Sequence, residues 1–241
     1  MKFPLGISNG KNYPDNRTEL GSLIAAPIGN PAGGAGATRR PFGPRMNITR
    51  KFCLIAGPLA ALLSCSAAGP AALKDAVVLI VRHADKPETG AGLSAAGQAR
   101  DQAYVKYFGQ FQIDGKTLKL DSLFAARDSE NSVRPRLTLE PLSRALNLPL
   151  HTAYTDKEPE KLAAELASKP HGKNILVCWR HKEIPALLRG LGADPAALLP
   201  GGAWPDDVYC WVIELRFDGQ GRLMPSQCKR INEHLTDKDT D

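Results

Sequence analysis

The chain has 241 residues, enough for one large domain or two small ones, and its hydrophobic content of 43% is that of an ordinary globular protein. The formal net charge of +6 is carried entirely by residues 1–65, which hold eight basic and two acidic side chains, so residues 66–241 are formally neutral. A neutral body argues against a basic nucleic-acid-binding face, and we expect no nucleic-acid partner.

The first part of the chain has the pattern of a leader. Residues 1–45 are rich in Gly, Pro, Asn and Arg and show no hydrophobic periodicity, so we expect them to be disordered or to lie upstream of the true start, Met46. From Met46 a short basic region is followed by an apolar stretch over 52–63 and then by small residues. This layout is typical of a secretory signal peptide, which we predict over 46–68.

The end of the predicted signal peptide allows two kinds of processing. Residues 62–65, Leu-Leu-Ser-Cys, resemble a bacterial lipobox, in which the cysteine becomes the lipid-modified first residue. Cleavage after Ala67 or Ala68 by the ordinary signal peptidase is the alternative. We therefore expect an exported protein that is either periplasmic or anchored in the cell envelope through Cys65, its only expected membrane contact. N-terminal sequencing of the natural product would distinguish the two.

The rest of the chain alternates apolar runs with segments of helical periodicity. Apolar runs predict strands at 77–81, 122–126, 148–151 and 174–179. Helical spacing predicts helices at 93–108, 134–146, 158–169 and 183–191. Two final runs, 208–217 and 222–231, predict a β-hairpin around the turn 218–221. Such alternation predicts one α/β domain over 69–234 with helices on both faces of the sheet, followed by a charged tail at 235–241.

Three cysteines lie in the body of the chain. The sequence has no CxxC motif and no Cys/His cluster, so we predict no zinc site. Cys210 and Cys228 fall on the two strands of the predicted hairpin, directly opposite or one residue apart according to the turn. An oxidising compartment would permit a disulfide between them, and two reduced, buried thiols are the alternative.

Two of the predicted strands end in the same dipeptide. Arg82 and His83 follow the first apolar run, and Arg180 and His181 follow the run over 174–179. In open α/β sheets, ligands bind beyond the carboxyl ends of the strands. Transfer of a phosphoryl group needs fixed cations and a nucleophile, and a neutral imidazole can attack phosphorus to give a phosphohistidine. The two dipeptides therefore indicate a phosphoryl-transfer site.

Around these dipeptides the chain resembles the histidine phosphatase superfamily, the phosphoglycerate-mutase-like fold. The segments that carry the resemblance are VRHADKP at 81–87, Leu93, Ser94 and Gly97, the segment at 132–142, and VCWRHKEIPALLRGLG at 177–192. The resemblance covers residues 75–231. It implies a three-layer α/β/α sandwich with a mostly parallel central sheet and a C-terminal β-hairpin.

The resemblance also implies roles for individual residues. His83 would be phosphorylated, while Arg82, Arg134 and His181 would hold the phosphoryl oxygens; Arg127 and Arg136 compete with Arg134 for its role. Family members commonly have glycine before the second histidine and a small polar residue after it. This chain has Arg180 and Lys182 there, so we expect a more cationic pocket.

Further substrate contacts and the proton donor are assigned less directly. Lys86, Arg180 and Asp85 are candidate substrate-binding residues. No segment matches the acidic loop of the mutases, so Glu183 is the first candidate for the acid that protonates the leaving oxygen, with Asp85 and Asp156 as alternatives.

These observations predict a phosphatase that hydrolyses a small-molecule phosphomonoester through His83 without a metal or another cofactor. A phosphate-binding envelope protein without turnover is the alternative from another class. Phosphoglycerate-mutase-type transfer is a second alternative, although the chain lacks the long insertions that shield the mutase site from water.

Overall fold

The computed structural model describes residues 72–236 and Asp239. The predicted signal peptide over 46–68 and its lipobox cysteine, Cys65, lie outside these residues. Within the part of the chain that is described, no helix has both the length and the apolar character needed to cross a membrane.

The strands and helices follow the predicted alternation. The strands are β1 (Val77–Arg82), β2 (Gln112–Ile113), β3 (Lys116–Thr117), β4 (Ser122–Ala125), β5 (Leu150–His151), β6 (Asn174–Trp179), β7 (Trp211–Arg216) and β8 (Lys229–Asn232). The α-helices are α1 (Ala95–Gly109), α2 (Arg134–Leu146), α3 (Pro159–Ser168), α4 (Ile184–Gly190) and α5 (Pro195–Leu198). Short 3₁₀ turns cover Pro200–Gly202 and Pro225–Gln227. The pair β2–β3, the helix α5 and the two 3₁₀ turns were not predicted.

The central sheet has the strand order β5-β4-β6-β1-β7-β8. The first four strands in this order run parallel, β7 runs antiparallel to β1, and β8 runs antiparallel to β7. A mostly parallel sheet closed by a C-terminal antiparallel pair is the predicted architecture, which is confirmed.

Both faces of the sheet are covered by helices. In β1, Val78 and Ile80 pack in one core with α3 and α4, while Leu79 and Val81 pack in the other with α1 and α2. A strand that is buried on both faces needs apolar side chains at every position, which explains the unbroken apolar run in β1. The layers are therefore helix, sheet and helix, as predicted.

The start of α1 is fixed to the loop that follows β1. The Ser94 hydroxyl accepts a hydrogen bond from the Gly97 amide and donates one to the Asp85 carbonyl, each at 3.1 Å. A Cβ atom at Gly97 would lie only 2.3 Å from the Asp85 carbonyl oxygen, so only glycine permits this approach. The first turn of α1 thus holds the backbone two residues beyond His83.

A buried arginine connects this loop to the end of the chain. Arg100 in α1 pairs through Nε with Asp85 at 2.8 Å, through Nη1 with Glu233 at 3.0 Å and through Nη2 with Asp239 at 2.7 Å. The Tyr104 hydroxyl donates a hydrogen bond to the other oxygen of Glu233 at 2.6 Å. We call Arg100 and these three carboxylates the Arg100 network. It brings Asp239, in the predicted charged tail, into contact with α1.

The predicted register of the hairpin is wrong. Trp211 pairs with Asn232 and Glu214 pairs with Lys229, because the 3₁₀ turn Pro225–Gln227 interrupts the second strand. Cys210 and Cys228 therefore lie at opposite ends of the β7–β8 ladder. Both are free thiols, so the alternative of a cross-strand disulfide does not apply to this structure.

Candidate active site

The two Arg-His dipeptides leave the sheet side by side. β1 and β6 are adjacent and parallel, with Arg82 in register with Trp179, and the His83 amide donates a hydrogen bond to the Trp179 carbonyl at 3.1 Å. His83 and His181 thus follow the carboxyl ends of neighbouring strands. The structure brings these two predicted site residues to one edge of the sheet.

The ring of His83 is held in one tautomer. Its Nδ1 lies 2.9 Å from the Ala84 carbonyl oxygen, and because a carbonyl only accepts, Nδ1 carries the hydrogen. Nε2 therefore keeps its lone pair. Burial, together with the positive charges of Arg82 and Arg134, lowers the pKa of His83 to about 3, although the hydrogen bond to the Ala84 carbonyl acts in the opposite direction. The ring is neutral at neutral pH, as a nitrogen nucleophile must be.

The backbone after His83 is anchored to α2. The Ala84 amide donates a hydrogen bond to the Thr138 hydroxyl at 2.8 Å, and this hydroxyl donates to the Arg134 carbonyl at 2.8 Å. Thr138 is fully buried. The same side chain therefore holds both Ala84, whose carbonyl orients the His83 ring, and Arg134, the first residue of α2.

Arg82 is fully buried and only partly satisfied. Its Nη1 donates hydrogen bonds to the carbonyls of Pro205 at 3.1 Å and Val208 at 2.8 Å, and its guanidinium carbon lies 3.8 Å from the centre of the Tyr209 ring. Its Nε and Nη2 are buried without a hydrogen-bond partner. Buried donors without partners are costly, and an oxyanion supplies the acceptors that they lack.

Arg134 is a second donor of this kind. It is held by hydrogen bonds from Nη1 to the Gly90 carbonyl at 3.0 Å and from Nη2 to the Asn131 carbonyl at 3.4 Å, while Nε is buried without a partner. Its competitor Arg136 instead forms surface ion pairs with Asp128 and Glu140.

His181 contacts a carboxylate that was not predicted from the sequence. Its Nε2 hydrogen-bonds Asp206 Oδ1, and its Nδ1 is buried without a partner. Burial and then the charge of Arg82 lower the pKa of His181 to about 4, and Asp206 opposes this change. Asp206 precedes β7, which runs antiparallel to β1, so its loop lies at the edge where β1 ends.

Asp206 was missed because its position depends on topology. The sequence shows an acidic pair, Asp206 and Asp207, directly after Trp204 and Pro205 in the loop before the final hairpin. That loop reaches the site only if the first strand of the hairpin pairs with β1. The acidic pair was therefore visible in the sequence. The pairing of β7 with β1, which brings this pair to the site, could not be predicted from the sequence.

The three acids that the sequence offered as candidate proton donors all lie in ion pairs with basic side chains. Glu183 pairs with Lys157, Asp85 pairs with Arg100, and Asp156 pairs with Arg180 at 2.9 Å. These placements leave the proton-donor assignment of Glu183 a prediction.

The basic residues that led us to predict a more cationic pocket differ in exposure, and their roles in substrate binding stay a prediction. Lys86 and Lys182 are exposed, and Arg180 is about half-buried. The positive charges of Arg82 and Arg134 act on the ring of His83, and those of Arg82 and Lys182 act on the ring of His181. Among the described residues, no group of three or more His, Cys, Asp or Glu side chains has an arrangement that could hold a metal ion.

Comparison of the sequence with protein-family models gives no match, and neither does comparison with curated proteins. Solved structures do match. The protein histidine phosphatase SixA in complex with tungstate is 16% identical, with 65% of this chain and 97% of that chain covered and a TM-score of 0.42. Phosphoglycerate mutase from Plasmodium falciparum is 18% identical, with coverages of 68% and 96% and a TM-score of 0.44.

The alpha-ribazole phosphatase from Shigella flexneri is 13% identical, with coverages of 68% and 100% and a TM-score of 0.45. At such low identities the activities of these proteins do not carry over to this chain, whose function has to be argued from its own residues. In its motifs and in the fold described above, this chain resembles the histidine phosphatase superfamily.

Proposed function

We propose that the chain is a phosphatase that hydrolyses a small phosphomonoester through a phosphohistidine on His83. One observation carries this proposal: Nδ1 of His83 is committed to the Ala84 carbonyl, which leaves the lone pair on Nε2, and the two arginines whose charges act on this ring have buried nitrogens without a partner. Phosphoryl transfer needs a nucleophile and hydrogen-bond donors that can bind the phosphoryl oxygens, and both are supplied by this site.

In the first step, Nε2 of His83 attacks phosphorus and the bond from phosphorus to the ester oxygen breaks. The leaving oxygen takes up a proton and departs as an alcohol, while the phosphoryl group stays on Nε2. In the second step, a water oxygen attacks phosphorus, the P–N bond breaks, and Nε2 recovers its lone pair as inorganic phosphate leaves. Arg82 and Arg134 bind the phosphoryl oxygens in both steps, so the chain itself supplies the positive charge and the proposal requires no metal ion.

His83→Ala tests the proposal. We expect p-nitrophenyl phosphate hydrolysis to fall by at least about 10³-fold, because the nucleophile is removed. Acid-labile phosphate, trapped on the wild-type protein by rapid quenching, should be absent from the variant. His151→Ala, which removes a histidine from the edge strand β5, is the matched control and should retain activity.

Other outcomes would assign other functions. Turnover that survives His83→Ala would remove the mechanism. Phosphate binding without turnover on a broad panel of phosphate esters would favour a binding protein. Transfer of the phosphoryl group to an added alcohol in preference to water would favour mutase-type chemistry.

A further inference from the structure

The two ring nitrogens of His181 have different surroundings: Nε2 contacts Asp206, and Nδ1 does not. The Asp206 carboxylate accepts, so Nε2 of His181 carries a hydrogen. Nδ1 is buried and has no partner. The side chain of His181 is 8% exposed, whereas that of Asp206 is 73% exposed. The ring therefore joins a solvent-facing carboxylate on one side to an unsatisfied buried nitrogen on the other.

The charge of His181 depends on what lies beside Nδ1. The charged groups that act on the ring are Arg82 at the end of β1, Lys182 next in the chain and Asp206 before β7, and the neutral ring of His83 is the other titratable group near it. The pKa of His181 is about 4 in this structure, so Nδ1 holds no hydrogen at neutral pH. A neutral His181 would present a lone pair to an incoming phosphate, which is repulsive.

A bound phosphate ester reverses this balance. An opposite charge within about 4–6 Å moves a pKa by about 1 to 3, and a phosphate ester brings up to two negative charges. With the phosphoryl group on one side and Asp206 on the other, the ring lies between two anions. These shifts are large enough to bring the pKa of His181 to near neutrality, so that Nδ1 becomes a donor when substrate is bound.

We propose that Asp206 is a positioning residue that keeps His181 charged while a phosphate ester is bound, so that His181 Nδ1 donates the proton that the leaving oxygen requires. This inference rests on the proposed phosphatase function and assigns its proton donor to His181 in place of Glu183, which pairs with Lys157. In the first step, the proton passes from Nδ1 to the ester oxygen as the bond to phosphorus breaks, which leaves His181 neutral. In the second step, Nδ1 takes a proton from the attacking water, and the imidazolium is restored.

Asp206 does not hold the transferred proton itself. The hydrogen bond from His181, and then the positive charge of Lys182, lower the pKa of Asp206 below its usual range, and its exposure to water stabilises the ionised form as well. A carboxyl group that serves as the acid needs a raised pKa, which burial among apolar groups provides. Asp206 thus acts through the imidazole.

The dependence of the rate on the leaving group separates this role from a structural one. A nitrophenolate leaves without a proton, whereas an alkoxide needs one. For Asp206→Asn, which retains an oxygen that can accept from His181 Nε2, we expect hydrolysis of an alkyl phosphate to fall by about 10²-fold and that of p-nitrophenyl phosphate to change far less. Asp206→Glu should restore part of the alkyl phosphate activity. Asp207→Asn removes the adjacent charge and should alter the two rates equally.

A second measurement does not depend on turnover. In protein labelled with ¹⁵N-histidine, inorganic phosphate at pH 7 should shift the His181 ring nitrogens toward imidazolium values in the wild type but not in Asp206→Asn. The inference is overturned if Asp206→Asn slows both esters equally, or if His181 stays neutral when phosphate binds to the wild type. A wild-type protein that hydrolyses no ester would instead overturn the phosphatase function, and the proton-donor role would fall with it.

Discussion

His83 is kept neutral by its surroundings, and this makes folding sensitive to acid. The pKa of its ring is about 3 in the folded chain, against an ordinary value of 6.5, because burial disfavours the charged form. Between these two values the unfolded chain binds a proton that the folded chain does not. The contribution of His83 to stability is therefore fully present above pH 6.5 and is lost as the pH falls toward 3.

The acid sensitivity can be measured as a slope. A single group of this kind changes the free energy of unfolding by about 1.4 kcal/mol for each pH unit within its window. We expect the free energy of unfolding of His83→Gln, measured by urea denaturation between pH 6 and pH 4, to fall less steeply with acid than that of the wild type. Equal slopes in the two proteins would show that the folded chain protonates His83 without cost.

At the scale of elements, the contact between α1 and the loop after β1 places a backbone constraint close to the nucleophile. A Cβ atom at Gly97 would lie 2.3 Å from the carbonyl oxygen and 3.0 Å from the amide nitrogen of Asp85. Both are backbone atoms, so no side-chain rotation relieves the overlap. Either α1 or the loop that carries His83 has to move.

Gly97→Ala is therefore expected to lower both stability and activity. Overpacking of this kind costs about 1–3 kcal/mol, and the displaced loop should reduce p-nitrophenyl phosphate hydrolysis as well. Gly109→Ala at the other end of α1 is the matched control, since its Cβ would meet nothing within 4 Å and alanine favours the helix by up to about 1 kcal/mol. Urea denaturation and the hydrolysis rate test both variants; a fully active, fully stable Gly97→Ala would contradict the argument.

Elements with a strong periodic signal could be predicted from the sequence. The bounds of β6 and α2 agree with the prediction, because both are long enough for their apolar pattern to stand out and α2 begins beside a proline. The pair β2–β3 and the helix α5 have two to four residues per element, too few to show a period. The register of the hairpin was wrong because a 3₁₀ turn was hidden in a run that looked like strand.

Some residues of the candidate site could be predicted from the sequence and one could not. His83 and His181 could be placed together because each lies in an Arg-His dipeptide that follows an apolar run, and the carboxyl ends of parallel strands share an edge. Asp206 could not, because its place depends on the antiparallel pairing of β7 with β1 across a long stretch of chain. The predicted signal peptide and lipobox lie outside the described residues and stay predictions.

At the scale of the whole molecule, the Arg100 network joins distant parts of the chain. Arg100 is buried, and Glu233 is buried with it; burial raises the pKa of Glu233 to about 7 despite its contacts with Tyr104 and Arg100. If Arg100 is removed, water cannot reach the buried carboxylate to stabilise its negative charge. The three carboxylates come from the loop after β1 and from the end of the chain, so the network connects the nucleophile loop to the C-terminal segment.

Arg100→Met should be strongly destabilising. Removal of one partner from a buried ion pair costs about 3–5 kcal/mol, which urea denaturation at neutral pH would detect. Arg136→Met is the matched control, because Arg136 pairs with two carboxylates at the surface, where such pairs contribute about 1 kcal/mol or less. Similar losses in the two variants would show that the Arg100 network carries no special weight.

The long sequence separation within the Arg100 network bears on how the protein is made. Arg100 is translated 139 residues before its partner Asp239, and Arg82 is translated 126 residues before the Val208 carbonyl that orients it. While the chain emerges from the ribosome, β1 has no β7 to pair with and the nucleophile loop has no C-terminal anchor. A nascent chain that ends before these residues thus carries His83 without its site, and phosphate chemistry has to wait until β7 and Asp239 have been made.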